Sequence, residues 1–158
     1  MFQFWRRKER FERPPAPTEV TLQAVAVVRN AVAKPRPHGW ENVESAIEFL
    51  PQHEQRLHGL GRYSHVIVVF VTDLAAAAPA KPEQMTLASG NVYGVFATRS
   101  QLRPNHLGVS AVLLLGVEGC AVRVRGLDAI DGTPVLDIKP YLPEYDAFPD
   151  ATIAEPRQ

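Results

Sequence analysis

Apolar and polar positions alternate with a period of two along much of the chain, and each alternating run is short. In residues 20–29, Leu22, Ala24 and Ala26 fall on one face before the apolar cluster 25–28 closes the run, which predicts a first strand. Lys34-Pro35-Arg36-Pro37-His38-Gly39-Trp40 is too rich in proline and glycine for regular structure and predicts a loop. Residues 46–50 predict another short strand and residues 51–58 a helical turn. His65–Val71, nearly continuous in β-branched and aromatic residues, predicts a buried strand. The alanines of residues 75–84 are interrupted by Pro79 and Pro82, so a mobile connection with one helical turn is expected there. Residues 93–97, 109–115, 121–125 and 135–138 complete the strands. Seven or so short strands with scraps of helix predict an all-β protein, a small single β-barrel with short helical connections, because closing the sheet removes its edges.

Composition narrows the function classes. A chain of 158 residues fits one domain, and 46% hydrophobic with 22% charged residues excludes a disordered or fibrous chain. No apolar run reaches the roughly 20 residues that span a bilayer, and the N-terminus has no secretory leader, so a cytoplasmic protein without a membrane partner is expected. Cys120 is the only cysteine, which removes disulfides and multi-cysteine zinc sites. Lys plus Arg and Asp plus Glu both number 17, so bulk charge does not grip nucleic acid; DNA is not expected, and an RNA partner would need a local patch. The charge is uneven, however. Arg6, Arg7, Lys8, Arg10 and Arg13 interleave with Phe2, Phe4, Trp5 and Phe11 ahead of Pro14, Pro15 and Pro17. The chain therefore divides into a basic-aromatic arm at 1–17, a barrel domain at 18–148 and a tail at 149–158. The arm reads either as a segment that touches RNA or clasps a subunit, or as a frayed terminus.

Three stretches carry polar residues that a sheet core does not need: 97–108, 126–134 and 137–141. Arg99 and Arg103 bracket a turn fixed by Pro104, Asn105 and Gly108, so their guanidinium forks are placed to hold one carboxylate or phosphate; the alternative is a structural network with Asp128, Asp131 or Asp137. Asp128 and Asp131 flank a turn closed by Gly132 and Pro134, which serves a cation or proton donor, or simply caps local amides. His38, His53, His58, His65 and His106 lack metal-motif spacing, and no dinucleotide or triphosphate glycine fingerprint is present. Ser100, Ser110 and Cys120 sit in no nucleophile elbow.

Gly94-Val95-Phe96-Ala97-Thr98-Arg99-Ser100 with Arg103-Pro104-Asn105 and Leu107-Gly108, then Leu127-Asp128, Asp131-Gly132-Thr133-Pro134 and Asp137-Ile138-Lys139-Pro140-Tyr141, resemble the TrmO/YaeB family, also called TsaA-like. The likeness runs from about residue 22 to 146. Where that family usually reads proline, this chain has Gln101 and His106. The resemblance implies a β-barrel methyltransferase that uses S-adenosyl-L-methionine, works as a homodimer, and methylates N6 of threonylcarbamoyl-adenosine at position 37 of tRNA. It assigns to the cofactor Pro37, His38 and Gly39, then Leu74, Ala75 and Ala76, then Arg99, Val109, and Arg125, Gly126, Leu127 and Asp128. Arg103, Asn105 and Lys139 go to the acceptor, and Asp131 or Tyr141 helps remove its proton; no metal is implied. The competing readings are an S-adenosylmethionine-binding protein of the same fold acting on another RNA or a small molecule, and a non-catalytic ligand-binding module.

Overall fold

The computed structural model describes residues 14–78 and 82–154. Six strands close into an antiparallel barrel: β1 (Ala26–Arg29), β2 (Glu44–Phe49), β3 (His65–Val71), β6 (Leu107–Glu118), β7 (Ala121–Arg125) and β8 (Pro134–Pro140), in the order β1-β2-β7-β6-β3-β8. β4 (Gln84–Thr86) and β5 (Val92–Gly94) form a separate two-stranded ribbon, and α1 (Asp73–Ala76) and α2 (Pro143–Asp146) are single turns. The inward positions are small and branched: Val28, Ile47, Val66, Val68, Val122, Val124 and Val135 are fully buried. A barrel of so few strands has an interior only wide enough for such side chains, so it is a packed core and not a ligand cavity. The clefts must therefore lie at its ends.

His65–Val71 and Ala121–Arg125 appear with the expected bounds, and the other barrel strands are found with shifted ends. Residues 20–24 do not join β1. The register that pairs Ala26 with Phe49 would set residue 24 against Pro51, which has no N–H and opens a 3-10 helix, so the partner strand is lost there. Val20 and Leu22 are left exposed. The strand expected at 93–97 stops at Gly94, because both the N–H and the hydroxyl of Thr98 bond back to the Val95 carbonyl and turn the chain into a 3-10 helix. The helical turn expected within 75–84 begins earlier, at Asp73, and β4 was not foreseen in that stretch. Of the basic-aromatic arm, only residues 14–17 fall within the described part.

One end of the barrel gathers the C-terminal ends of β1, β3 and β7 and the N-terminal ends of β2, β6 and β8. The 34–40 loop, the 72–76 turn, the 98–106 loop and the 126–133 turn all leave from that end. It carries the candidate site.

Candidate functional site

The 98–106 loop is wired to itself before it meets anything else. Thr98 Oγ1 accepts the Ser100 N–H at 3.2 Å, Ser100 Oγ accepts the Leu102 N–H at 3.1 Å, and the Arg103 guanidinium donates to the Thr98 carbonyl at 2.9 Å while lying 5.7 Å from the Phe96 ring centroid. His106 closes the loop with a left-handed backbone, φ 50°, which is uncommon for a residue with a Cβ. It is 5% exposed, its Nδ1 lies 3.3 Å from the Gln101 carbonyl oxygen, and its own carbonyl accepts both the N–H and the hydroxyl of Thr72 at 2.8 and 3.0 Å. The loop is thus tied to the exit of β3.

These ties leave a cleft of about 420 Å³ walled by Phe70, Thr72, Phe96, Arg99, Val109 and Asp128. Arg99 Nη2 donates to the Val109 carbonyl at 2.9 Å, which fixes the guanidinium over β6; its remaining N–H groups make no hydrogen bond among the described residues. Asp128, which lines the same cleft, accepts the hydroxyl of the next residue of β6, Ser110. A fixed cation with free donors and a carboxylate thus face one small space. The expected alternative, in which Arg99 and Arg103 pair with Asp128, Asp131 or Asp137, is overturned among the described residues: both arginines bond to backbone carbonyls instead. Gly108 lets the wall close, because a Cβ there would lie 2.3 Å from Phe70.

The other residues assigned from sequence divide by position. Leu74 and Ala75 line a small pocket adjoining this cleft, sharing Phe70, Thr72, Gln101 and Asp128 with it. Pro37 and His38 line a second cleft that shares Thr98, Arg99 and Ser100 with this one. Gly39 serves its own loop: at φ 82° it accepts from Arg36, whose guanidinium lies 4.8 Å from the Trp40 ring centroid. Leu127 is buried in the core, and Gly126, at φ 92°, makes the bend that brings Asp128 round. Ala76 is exposed on α1, and Asn105 is exposed in the turn before His106.

Arg125 is engaged by Glu44 at 2.7 Å, with Arg123 3.6 Å away, and the Arg125 hydrogen bond holds the Glu44 carboxyl below its ordinary range. Asp131 faces away from the cleft: one oxygen accepts the Asn30 N–H at 3.2 Å and the other lies 3.9 Å from Arg29. Tyr141 and Lys139 are not brought to this cleft at all. Tyr141 donates its N–H to the His65 carbonyl, six residues back along β3 from Val71, or about 20 Å at the usual rise per residue. Lys139 pairs with Asp137 on β8, and this contact raises its pKa. A part for either in the cleft chemistry requires a neighbouring subunit. Sequence reasoning missed Phe70, Thr72 and Phe96 as site walls, because a phenylalanine inside or beside a strand reads as core. Among the described residues no three His, Cys, Asp or Glu side chains are gathered as a metal ion would need.

Comparison with known proteins gives the chain's relatives. A probable S-adenosyl-L-methionine-binding protein of Pyrococcus abyssi is 37% identical over 106 residues, covering 67% of this chain and 56% of its own length. The Homo sapiens tRNA (adenine(37)-N6)-methyltransferase is 45% identical over 98 residues, 60% of this chain and 22% of that protein. A crystal structure of TrmO from Pseudomonas aeruginosa superposes with a TM-score of 0.68 at 33% identity, covering 85% of this chain and 61% of that one. The chain thus spans about half the length of the archaeal relative and about a fifth of the human one. The model of the tRNA-methyltransferase O N-terminal domain matches residues 24–147, from just before β1 to just past α2, and the chain belongs to that family.

Proposed function

We propose that this chain is an S-adenosyl-L-methionine-dependent methyltransferase acting on N6 of an adenine in tRNA, with threonylcarbamoyl-adenosine at position 37 as the acceptor. The observation that carries the reading is the one cleft lined by both Arg99 and Asp128, each anchored on β6 at neighbouring residues, Val109 and Ser110. The residues present fit the cofactor. Its α-carboxylate suits the free N–H groups of Arg99, its ammonium or ribose hydroxyls suit Asp128, and its adenine suits the apolar walls at Phe70 and Phe96. A volume of about 420 Å³ is within the usual span for such sites. Bound there, the cofactor supplies an electrophilic methyl group. The chain's own task is to hold cofactor and acceptor in line, a positioning effect worth up to about 7–11 kcal/mol. The names of the relatives, S-adenosyl-L-methionine-binding and tRNA (adenine(37)-N6)-methyltransferase, support both halves of the reading. A tRNA acceptor puts the working protein in the cytoplasm.

A homodimer completes the proposal, and its surface is on β3 and β6. Their outward residues Ile67, Val69 and Val71 stand beside Ala111, Val109 and Leu107, an apolar stripe on a face that water would ordinarily make polar. The Lys139–Asp137 pair lies on β8 and Arg125, paired to Glu44 of β2, lies on β7, the two strands flanking the stripe, as a polar rim does at an interface. Val109 belongs to both the stripe and the cofactor cleft, so a second subunit seated there abuts the cleft.

The test is methyl transfer itself. Incubation with methyl-labelled S-adenosyl-L-methionine and tRNA bearing threonylcarbamoyl-adenosine should label that nucleoside and release S-adenosylhomocysteine, and Arg99→Ala should not. Cofactor binding without transfer to any RNA would reduce the protein to a ligand-binding module.

A further inference from the structure

The cleft beside Arg99 has a larger neighbour. Sharing Thr98, Arg99 and Ser100 with it is a cleft of about 880 Å³, bounded by the 34–40 loop, the β4–β5 ribbon and the chain near Ile153. Its walls at Met85, Leu87 and Tyr93 are apolar or aromatic, and Asn91 stands at its polar rim. The ribbon turn is built to hold that asparagine in place. The Leu87 N–H bonds to the Asn91 carbonyl at 2.9 Å, the Gly90 N–H bonds to the Leu87 carbonyl at 2.9 Å, and Gly90 takes the left-handed conformation, φ 84°, that the turn requires. The Asn91 side-chain amide makes no hydrogen bond among the described residues, so its paired donor and acceptor are free.

We propose that this second cleft receives the acceptor adenine itself, extruded from its RNA, with its faces against Leu87 and Tyr93 and its edge read by Asn91. The inference rests on the methyltransferase reading above and adds where the acceptor lies and what selects it. An extruded base needs flat apolar walls with a few polar groups at the edge, and this lining supplies both. Asparagine offers adjacent donor and acceptor atoms that match adenine's ring nitrogen and amine, a pairing guanine does not offer. The volume is about twice that of the Arg99 cleft, which leaves room for a substituent on the amine. Thr98, Arg99 and Ser100 line both clefts, so an acceptor amine directed at that shared edge meets the cofactor site. Pro37 and His38 line this cleft too, so occupancy by the cofactor is the competing outcome.

Asn91→Ala removes the edge reader, and Ala88→Trp fills the cleft; both positions are exposed on the ribbon turn, away from the barrel core. The full chain and both variants, shown to be folded by circular dichroism, are titrated with S-adenosyl-L-methionine by calorimetry. They are then titrated with a fluorescent anticodon stem–loop RNA carrying adenine or guanine at position 37. Cofactor affinity is expected to be unchanged in both variants, adenine stem–loop affinity to fall about tenfold, and the preference for adenine to vanish in Asn91→Ala. A fall in cofactor affinity equal to the fall for RNA would give the cleft to the cofactor and overturn the inference. Unchanged RNA affinity and base preference in both variants would overturn it as well. Failure of the unaltered protein to bind S-adenosyl-L-methionine would instead sink the methyltransferase reading, and shows in a separate titration.

Discussion

Single residues set the shape of the cleft, and two of them hold positions that no ordinary side chain fills well. Gly108 faces Phe70 across the β3–β6 ladder, where a methyl group would overlap the ring. Gly108→Ala is expected to cost about 1–3 kcal/mol in urea unfolding and to weaken cofactor binding as well, since Phe70 must move and it lines the cleft. His106 stands where the family usually has proline, so proline looks harmless there on resemblance alone. The structure says otherwise: φ is 50°, whereas proline requires about −65°, and the His106 N–H reaches the Arg103 carbonyl at 3.2 Å. His106→Pro is expected to destabilise the protein by about 1–3 kcal/mol in thermal or urea unfolding, and His106→Asn, which tolerates this conformation, by less. Arg99 and Asp128 were legible in the sequence because loop arginines and aspartates have no place in a barrel core. Phe96 was not, since nothing in the pattern separates a buried phenylalanine from one that is 75% exposed beside a cleft.

Among the elements, the strands paired along their whole length were the easiest to read. β3 is paired with β6 at every residue and β7 with β2 at every residue, so their side chains follow the apolar pattern to the last residue. β1 ends early because its neighbour turns away at Pro51, a tertiary event that the alternation in 20–29 does not record. The β4–β5 ribbon was only half visible for a similar reason: three-residue strands with exposed faces carry no period to detect. The join between β2 and β7 has a pH signature. Arg125 holds the Glu44 carboxyl below its ordinary range, so the pair stabilises the fold when pH is above the unfolded carboxyl's range, and that stabilisation is lost as pH falls through the lowered folded value. Glu44→Gln is therefore expected to flatten the acid side of a stability-against-pH curve and to lower its neutral and alkaline plateau without changing the slope there. On β3, Val69→Asp places a charge in the middle of the apolar stripe without touching the inward core. Sedimentation should then show a monomer where the unaltered protein sediments as a dimer; a dimer in both would remove the stripe as the interface.

The whole molecule assigns its parts by end. The barrel interior is filled, the far end holds Tyr141 beside His65, and the near end gathers four loops around two adjoining clefts. An all-β barrel and a site on its loops followed from short strands and misplaced polar residues, while the separation of Tyr141 and Lys139 from that site needed the register of β8 on β3. Whether the Arg99 and Asp128 cleft holds S-adenosyl-L-methionine is decided by calorimetric titration of the unaltered protein beside a folded Arg99→Ala variant. The unaltered protein is expected to bind, and the variant to bind about tenfold to a hundredfold more weakly, the worth of hydrogen bonds to a charged group. Equal affinity in the two proteins, or no binding by the folded unaltered chain, would contradict that placement of the cofactor.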